Sequence, residues 1–434
     1  MDARGLLADL VRIDTTNPPG NESPAAERLE AELEAAGMDV RIFSSPAGRA
    51  NLIGRVEGDP ARPALVLLSH LDVVGVEEDK WSRSPFGAEE ADGHLWGRGA
   101  LDMKAVAVMH ACAAVAAATS ARREIVVAAV ADEEVGGVEG ARWLVQEHPD
   151  LVGFRDGSPP PHVLGEGAYG IDGLLDRPIL PIALGEKQAV RVAATTAGDP
   201  GHGALPPRRQ AIVDLARFVD DVAGYGKARL HPVVREQLGA MAGAAVNSRK
   251  RALQVLASAP GAAAVRAIAP LLRPQPALAS LLSDVVSVTT FNAGYKNNVV
   301  PGEAAATLDC RLLPDTDIDS FLSGLRRKAD EYGVRLTERS RHGGPVSAKS
   351  SLFETLRRAS AGVAGAPEVV PTISPAMTDV RFFRARGAIG YGWVPLVITP
   401  ELIATIHGHD ERIPLAGFDG AVEAMTRAVR ETTA

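Results

Sequence analysis

The chain contains 434 residues, of which 46% are hydrophobic, 23% are charged and only 4% are aromatic. These proportions exclude a disordered chain, and the length favours two domains, or one domain with a large insertion, over a single ordinary core. The formal net charge is -8 with acids and bases interleaved, which argues against nucleic acid as a partner and leaves no basic face for a membrane.

The first part of the chain alternates helical and strand-like patterns. Continuous apolar runs that end in polar residues predict strands buried on both faces, as in a parallel or mixed α/β sheet. An Ala-rich segment that is apolar nearly all round predicts a buried helix. The predicted helices are 6–11, 25–36 and 104–118, and the predicted strands are 39–43, 51–56, 64–68, 124–131 and 162–164.

The pattern changes near Gly185, where strand, helix, two strands, helix and strand follow one another in the ferredoxin-like order. Residues 227–283 interrupt this order, and α/β character returns from 350 to the final helix at 417–430. We predict a catalytic domain split between residues 1–187 and 343–434, with an α+β domain inserted at 188–342. The inserted elements are strands 188–196, 285–291, 304–312 and 334–339 and helices 208–224 and 318–332.

The beginning of the chain and its two cysteines bear on the compartment. Residues 1–7 contain an acid and no long apolar stretch, so they predict a first helix and not a signal peptide. No apolar run in the sequence is long enough to span a bilayer. Cys112 and Cys310 lie far apart in apolar surroundings, and we expect two buried reduced thiols. We therefore expect a cytoplasmic protein, unless a leader has been removed.

Histidine and acidic residues collect where the predicted buried strands end. His70 could bind a metal through one ring nitrogen, and Asp72, which faces the same way on a strand, could hold the other nitrogen. Asp102 could bridge two cations through its two oxygens, or it could cap the helix that begins near Lys104. A histidine that is merely hydrogen bonded is the alternative for His70.

Three further segments offer donors of the same kind. Glu133 and Glu134 are adjacent and must point in different directions, so that one could ligate and the other could move protons. Glu166 lies between glycines, and His407 lies in a loop where His409 is a rival candidate. Each of these residues could instead be a solvated loop residue. Together, two histidines and several carboxylates form a donor set that suits two zinc-like ions.

Longer motifs connect these residues to a known family. The chain resembles the co-catalytic zinc metallopeptidases and amidohydrolases, which include aminoacylase, bacterial glutamate carboxypeptidase, acetylornithine deacetylase, succinyl-diaminopimelate desuccinylase and carnosinase-type dipeptidases. The similarity runs through essentially the whole chain, and it is least typical at 227–283. The motifs are SHLDVV at 69–74, WGRGALDMK at 96–104, ADEEVG at 131–136, EG at 166–167, HGHDE at 407–411, IDTTNPPG at 13–20, GHG at 201–203, NVVPGE at 298–303 and DCR at 309–311.

The resemblance implies a zinc-peptidase-like mixed-sheet catalytic domain and an inserted ferredoxin-like lid and dimerisation domain. It implies two divalent metal ions per chain, zinc with Co2+ or Mn2+ as alternatives, bridged by Asp102. The remaining ligands would be His70 and Glu166 for one ion and Glu134 and His407 for the other. Glu133 would be the general base on the water between the ions, and Asp72 would orient His70.

The resemblance also places substrate contacts. His202 would polarise the scissile carbonyl, in many relatives across a homodimer interface. Other residues would hold the substrate's carboxylate or carbonyl groups or line its pocket, namely Asn298, Arg311, Thr378 and Gly392. For Arg311, an ion pair with Asp309 is the alternative. Residues 374–377 and Trp393 depart from the family pattern, and we expect both in the pocket wall.

The expected activity is hydrolysis of an amide bond in a small N-acyl amino acid or a short peptide with a free carboxylate. Acyl transfer to an amine at the same metal site is the alternative within the enzyme class. A binding protein with an inactive metal site is the alternative outside it.

Overall fold

The computed structural model describes residues 1–226, 228–258, 265 and 279–434. Part of the predicted interruption at 227–283 therefore lies outside the described residues. The α-helices are Ala3–Arg12, Ser23–Ala35, Lys104–Ala117, Trp143–Glu147, Ala211–Val222, Pro232–Met241, Asn247–Ser258, Ile318–Glu331, Ser351–Ser360, Val380–Ala385, Pro400–Ile403 and Leu415–Thr433. The strands are β1 (Asp39–Ser44), β2 (Ala50–Val56), β3 (Leu65–His70), β4 (Glu89–Ala91), β5 (His94–Trp96), β6 (Ile125–Val130), β7 (His162–Ile171), β8 (Ile179–Glu186), β9 (Gln188–Ala197), β10 (Gly201–His202), β11 (Val285–Ala293), β12 (Val299–Val300), β13 (Glu303–Leu312), β14 (Arg335–His342), β15 (Glu368–Ser374), β16 (Ile389–Ile398) and β17 (Arg412–Pro414).

The larger sheet contains eight strands in the order β1-β2-β6-β3-β7-β16-β8-β15. β3 pairs in parallel with β6 and β7, whereas β1 and β2 add an antiparallel edge, so the sheet is mixed as predicted. Side chains alternate along β3: Leu65 and Leu67 enter one core, and Val66 and Leu68 enter the core on the other face. Helices cover both faces, which is why these strands are continuously apolar in the sequence.

The smaller sheet contains four antiparallel strands in the order β11-β13-β9-β14. Helices Ala211–Val222 and Ile318–Glu331 contribute to one core with β9 and β13. The chain order and the strand order are those of the ferredoxin-like arrangement, as predicted. All strands of this sheet lie within the proposed insertion at 188–342, and the domain boundaries themselves stay a prediction.

Strand β7 is longer than the sequence indicated, because it runs to Ile171 where a turn was expected after Leu164. Glycines cause the difference: they resemble a turn signal but here permit close contact between strands. A Cβ atom on Gly167 would lie 2.5 Å from the carbonyl carbon of Gly392 in β16. Glu166 therefore projects from a strand and not from a loop.

Two other expectations concern the state of the two cysteines and the ability of any segment to span a membrane. Cys112 and Cys310 are both buried and free, as expected. Among the described residues, no helix combines the length and the apolar character needed to cross a bilayer.

Candidate metal centre

The predicted metal ligands meet at the carboxyl ends of the parallel strands. His70 is the last residue of β3 and lies beside Val130, the last residue of β6. Glu133 and Glu134 follow β6 in a short 3-10 turn. Asp102 ends the loop before helix Lys104–Ala117. The strand order therefore brings together donors that lie far apart in the sequence.

His70 is buried, and its two ring nitrogens face different partners. Nδ1 lies 2.9 Å from the backbone oxygen of Asp72 and 3.5 Å from its carboxylate. Nε2 lies 3.3 Å from an oxygen of Asp102 and 3.9 Å from one of Glu166. Burial lowers the pKa of His70, but hydrogen bonds to Asp102 and Asp72 outweigh burial and raise this pKa well above its ordinary value.

Asp102 lies between two histidines. Its Oδ1 faces Nε2 of His70, and its Oδ2 lies 3.0 Å from Nε2 of His407. The alternative role as a helix cap is wrong, because Met103 occupies the N-cap position without any side-chain cap. Burial alone would raise the pKa of Asp102, but the hydrogen bonds with His407 and His70 lower it below its ordinary value.

The His407 side of the cluster is completed by Glu134, whose Oε2 lies 3.2 Å from Nε2 of His407. His409, the rival candidate to His407, is exposed, and its Nε2 lies 3.1 Å from Oε2 of Glu77. The structure therefore favours His407. Hydrogen bonds to Asp102 and Glu134 raise the pKa of His407 to about 10. These contacts hold an imidazole where a metal ligand is expected.

Asp72 supports the adjacent glutamates through their backbone. It accepts hydrogen bonds from the N–H groups of Glu133 and Glu134, both at 3.2 Å, and from the side chain of Asn17 at 2.8 Å. Asp72 therefore fixes the 3-10 turn of the two glutamates as well as facing His70. The sequence predicted the contact with His70 but not the support of this turn.

The donor set fits divalent cations on three observations. Candidate ligand atoms of His70, Asp102 and Glu134 lie within 4.8 Å of one another, as do those of His70, Glu133 and Glu166. Oxygen Oε1 of Glu134 is buried and has no hydrogen-bond partner in the part of the chain that the structure describes. Burial and neighbouring carboxylates raise the pKa of Glu166 to about 8, although His70 opposes the shift. Bound cations would satisfy these crowded acids.

A small cavity beside His70 is lined by Glu133, Glu166 and Asp379 among others. Burial, then the charges of Glu166 and Asp379, raise the pKa of Glu133 well above its ordinary value. Asp379 is buried, neither of its carboxylate oxygens has a hydrogen-bond partner among the described residues, and Arg381 lies 3.7 Å away. Burial raises the pKa of Asp379 to about 6. Asp379 directly follows Thr378, and the prediction of Thr378 as a pocket residue was the sequence signal for this acid.

The predicted substrate residues His202 and Asn298 lie close together, because His202 is in β10 and Asn298 directly precedes its partner strand β12. The N–H of Gly203 donates to the carbonyl of Asn298 at 2.9 Å. The His202 ring is exposed and accepts from the N–H of Ala204 at 3.1 Å. Within the described part of this one chain, no hydrogen bond or ion pair joins His202 to the metal cluster.

Arg311 is engaged in the alternative ion pair. Its Nε and Nη2 donate to the two carboxylate oxygens of Asp309 at 2.8 and 3.1 Å. Arg311 lies on β13 of the smaller sheet, whereas the metal cluster belongs to the larger sheet. The structure therefore gives Arg311 a partner other than the substrate.

The remaining residues expected around the pocket are held by internal contacts. Thr378 is buried and donates to Glu186 at 2.5 Å. Gly392 lies directly against the backbone of Glu166. The expectation for Trp393 is wrong: its ring is fully buried in the core and donates to Ser360 at 3.1 Å. Its place in the sequence beside Gly392 suggested the pocket, but alternation along the strand turns it inward.

Comparison with known proteins places this geometry in context. A family model described as Peptidase family M20/M25/M40 matches residues 66–431. Aminoacylase-1 from Sus scrofa is 27% identical over 442 residues, covering 97% of this chain and 93% of that protein. N-fatty-acyl-amino acid synthase/hydrolase PM20D1 from Mus musculus is 28% identical over 389 residues, covering 84% and 73%.

Solved structures show the same fold at lower identity. An M20 family metallo-carboxypeptidase from Sulfolobus solfataricus matches with a TM-score of 0.73 and 18% identity, covering 99% of both chains. Human carnosine dipeptidase 1 matches with a TM-score of 0.63 and 13% identity, covering 99% of this chain and 95% of that one. A dinuclear metal-binding M20 peptidase from Bacillus subtilis matches with a TM-score of 0.60 and 14% identity, covering 99% and 97%.

Proposed function

Because the chain belongs to peptidase family M20/M25/M40, we propose that it is a dinuclear metal hydrolase acting on a small N-acyl amino acid or a short peptide with a free carboxylate. The family and its relatives make the chain a metal-dependent amidohydrolase. The substrate class, the number of ions and the residue roles below are our proposal.

One observation carries the proposal of two ions: the two oxygens of Asp102 face two different imidazoles, those of His70 and His407. A carboxylate in this position can share its oxygens between two cations. We assign His70 and Glu166 to one ion and Glu134 and His407 to the other. Nitrogen and carboxylate donors suit zinc, with Co2+ or Mn2+ as alternatives.

Glu133 is the proposed general base. Bound divalent ions supply Lewis acidity and lower the pKa of water towards neutrality. Glu133, held by Asp72 through its backbone N–H, takes the proton of the attacking water and returns it to the departing amine. His202 donates to the carbonyl oxygen as negative charge develops there, a contribution commonly worth roughly 2.7–4 kcal/mol.

His202 requires a second copy of the chain in this proposal. β11 is an edge strand of the smaller sheet, and it exposes Val288 and Phe291. Ile212 and Val213 on a neighbouring helix are exposed too. Exposed apolar residues beside an unpaired strand edge favour pairing with another chain. We propose a homodimer through residues 188–342, in which the His202 ribbon reaches the partner's metal centre.

The substrate carboxylate is assigned to Arg311, with Asn298 as a neighbouring polar contact. A guanidinium offers two parallel donors to a carboxylate, and Asp309 already uses that geometry. A substrate carboxylate would replace Asp309 in this pairing. Gly392 lies against the backbone of Glu166 and Thr378 donates to Glu186, and we keep both residues as proposed parts of the substrate pocket.

Acyl transfer is a second candidate activity, because one relative is an N-fatty-acyl-amino acid synthase/hydrolase. In acyl transfer, an amine would replace water at the same centre. The grouping of histidines with carboxylates and the place of Glu133 in the cavity beside His70 argue against a binding protein with an inactive site. We retain a cytoplasmic location as part of the proposal.

The test combines metal analysis with a panel of N-acyl amino acids and dipeptides, scored by released amine. The wild-type protein should bind two ions per chain and hydrolyse at least one class. Asp102→Ala should lose both ions, whereas Glu133→Gln should keep them and lose turnover by about 10²–10⁴-fold. Glu139→Gln, on the same loop but outside the cluster, is the control. Full occupancy in Asp102→Ala refutes the bridge, and normal turnover in Glu133→Gln removes the base.

A further inference from the structure

A buried ion pair joins two loops of the metal centre that are remote in sequence. Nη1 of Arg98 lies 2.5 Å from Oε2 of Glu411, and the two residues are 313 positions apart. Both side chains are almost fully buried, at 2% and 0% exposure. Burying two charges is costly unless further hydrogen bonds satisfy them, so the partners of each side chain matter.

Glu411 uses its other oxygen to hold the loop of the bridging carboxylate. Oε1 accepts the N–H groups of Leu101 at 2.7 Å and of Asp102 at 3.0 Å. The backbone carbonyl of Glu411 accepts the N–H of Gly97 at 2.9 Å. Glu411 therefore fixes the peptide that carries Asp102, although Glu411 itself follows His407 in the sequence.

Arg98 uses its other terminal nitrogen to hold the His407 loop. Nη2 donates to the carbonyl of Gly408 at 2.7 Å, and the guanidinium lies 5.2 Å from the ring centre of Trp81. His407 itself has a φ of +59°, in the left-handed region that residues with a Cβ rarely adopt. External support keeps the loop in this conformation, and Arg98 supplies part of that support.

We propose that Arg98 and Glu411 form a clamp that couples the two metal positions by holding the Asp102 peptide and the His407 loop in one unit. The inference rests on the proposed dinuclear site. The two members of the clamp hold different segments. Glu411 holds Asp102, which is proposed to bind both ions, whereas Arg98 holds the His407 loop, which supplies a ligand to one ion. Substitutions of the two residues should therefore differ in their effect.

Arg98→Lys keeps a positive charge beside Glu411 but loses the planar fork that also reaches Gly408. The ion assigned to His70 and Glu166 should stay tightly bound. The second ion should bind at least about tenfold more weakly, as expected when a supporting partner of a ligand is lost. Glu411→Gln should weaken the binding of both ions. Competition with a chelator, monitored by the absorption spectrum of the Co2+-loaded protein, measures the affinity for each of the two metal equivalents. This measurement needs no assay of activity.

Arg412→Lys is the matched control. Arg412 follows Glu411 as the first residue of β17, donates to the carbonyl of Asp410 at 2.8 Å and covers the ring of Trp96. Among the contacts of the described residues, its side chain makes no hydrogen bond to the Asp102 loop, so both ions should remain bound. A weakening like that of Arg98→Lys would indicate general loosening of the loop and would overturn the clamp. Equal loss of both ions in Arg98→Lys, or no loss, also overturns it.

The wild-type protein gives a test that does not depend on the folding of any variant. Zn2+ is titrated into metal-free protein, and hydrogen exchange is followed in peptides covering 97–102 and 407–411. The clamp predicts that both segments gain protection with the same equivalent of metal. Protection at separate equivalents refutes the coupling. If fewer than two ions per chain bind at saturation, the dinuclear site itself is refuted, and the proposed coupling is refuted with it.

Discussion

A Cβ atom placed on Gly392 would lie 2.2 Å from the carbonyl oxygen of Glu166, which is closer than any real contact. Gly392→Ala should therefore displace the strand segment that carries Glu166. We expect weaker binding of the ion assigned to His70 and Glu166, together with a loss of about 1–3 kcal/mol in the free energy of unfolding from overpacking. Metal titration and urea unfolding of the metal-free protein measure the two effects separately.

Gly75→Ala is the control for this substitution. A Cβ atom on Gly75 would meet only the Cγ2 of Thr16, at an ordinary 3.8 Å. Both ions and the unfolding midpoint should be retained. If Gly392→Ala keeps both ions at wild-type affinity, close strand contact does not position Glu166.

His202 should act on the metal centre of the partner subunit. Mixing His202→Ala chains with Glu133→Gln chains should restore activity, because one of the two sites in each mixed dimer then has both residues intact. The motivation is the exposed His202 ring, which has no contact with the metal cluster of its own chain among the described residues. Hydrolysis by purified mixed dimers is the measurement.

Mixing Glu133→Gln with Asp102→Ala chains controls for nonspecific recovery. Both substitutions lie in the metal centre of their own chain, so neither site in the mixed dimer is complete. Recovery in this control, or none in verified mixed dimers of His202→Ala with Glu133→Gln, contradicts action across the interface.

Arg311→Lys should reduce kcat/KM for substrates with a free carboxylate by about tenfold or more, because lysine lacks the two parallel donors. The loss should be much smaller for the matching amide or ester, which offers no anion. Arg191→Lys is a suitable control, since Arg191 lies on β9 opposite Asp309 in the same sheet. Equal losses for both substrate types, at unchanged metal content, would remove Arg311 from carboxylate recognition.

His110 should make the protein sensitive to acid. It is fully buried in helix Lys104–Ala117, and neither ring nitrogen has a hydrogen-bond partner within residues 1–226, 228–258, 265 and 279–434. Burial lowers its pKa to about 3. Below the ordinary pKa of 6.5 the unfolded chain binds a proton that the folded chain refuses, so stability falls as the pH drops. Between pH 7 and 5, the wild type should lose about 2 kcal/mol relative to His110→Leu.

Urea unfolding of the two metal-free proteins at pH 5, 6 and 7 measures this difference. Carboxylates common to both proteins titrate alike and cancel in the comparison. If the two unfolding free energies change in parallel with pH, His110 is protonated in the folded state and its burial has no such cost.

The sequence allowed the site to be predicted where a local motif marks the end of a buried strand. Period and polarity placed His70, Glu133 and Glu134 at the ends of buried strands, but only the resemblance to the metallopeptidases implied their roles as ligands and base. The ion pair of Arg98 with Glu411 could not be predicted in this way, because its members are far apart and each carries several possible partners. Trp393 was misplaced because a glycine-rich sequence resembles a loop when it is in fact the centre of a sheet.

The position of β16 has a consequence for synthesis of the protein. β16 lies between β7 and β8 in the sheet, although the ribosome completes β7 and β8 long before it reaches residue 389. A nascent chain thus carries His70, Asp102, Glu134 and Glu166 before it has the strand that backs Glu166. Domains fold as translation supplies their segments. The candidate metal centre can therefore be completed only after the ribosome has passed β16 and His407, and a shorter nascent chain lacks both the backing strand and one proposed ligand.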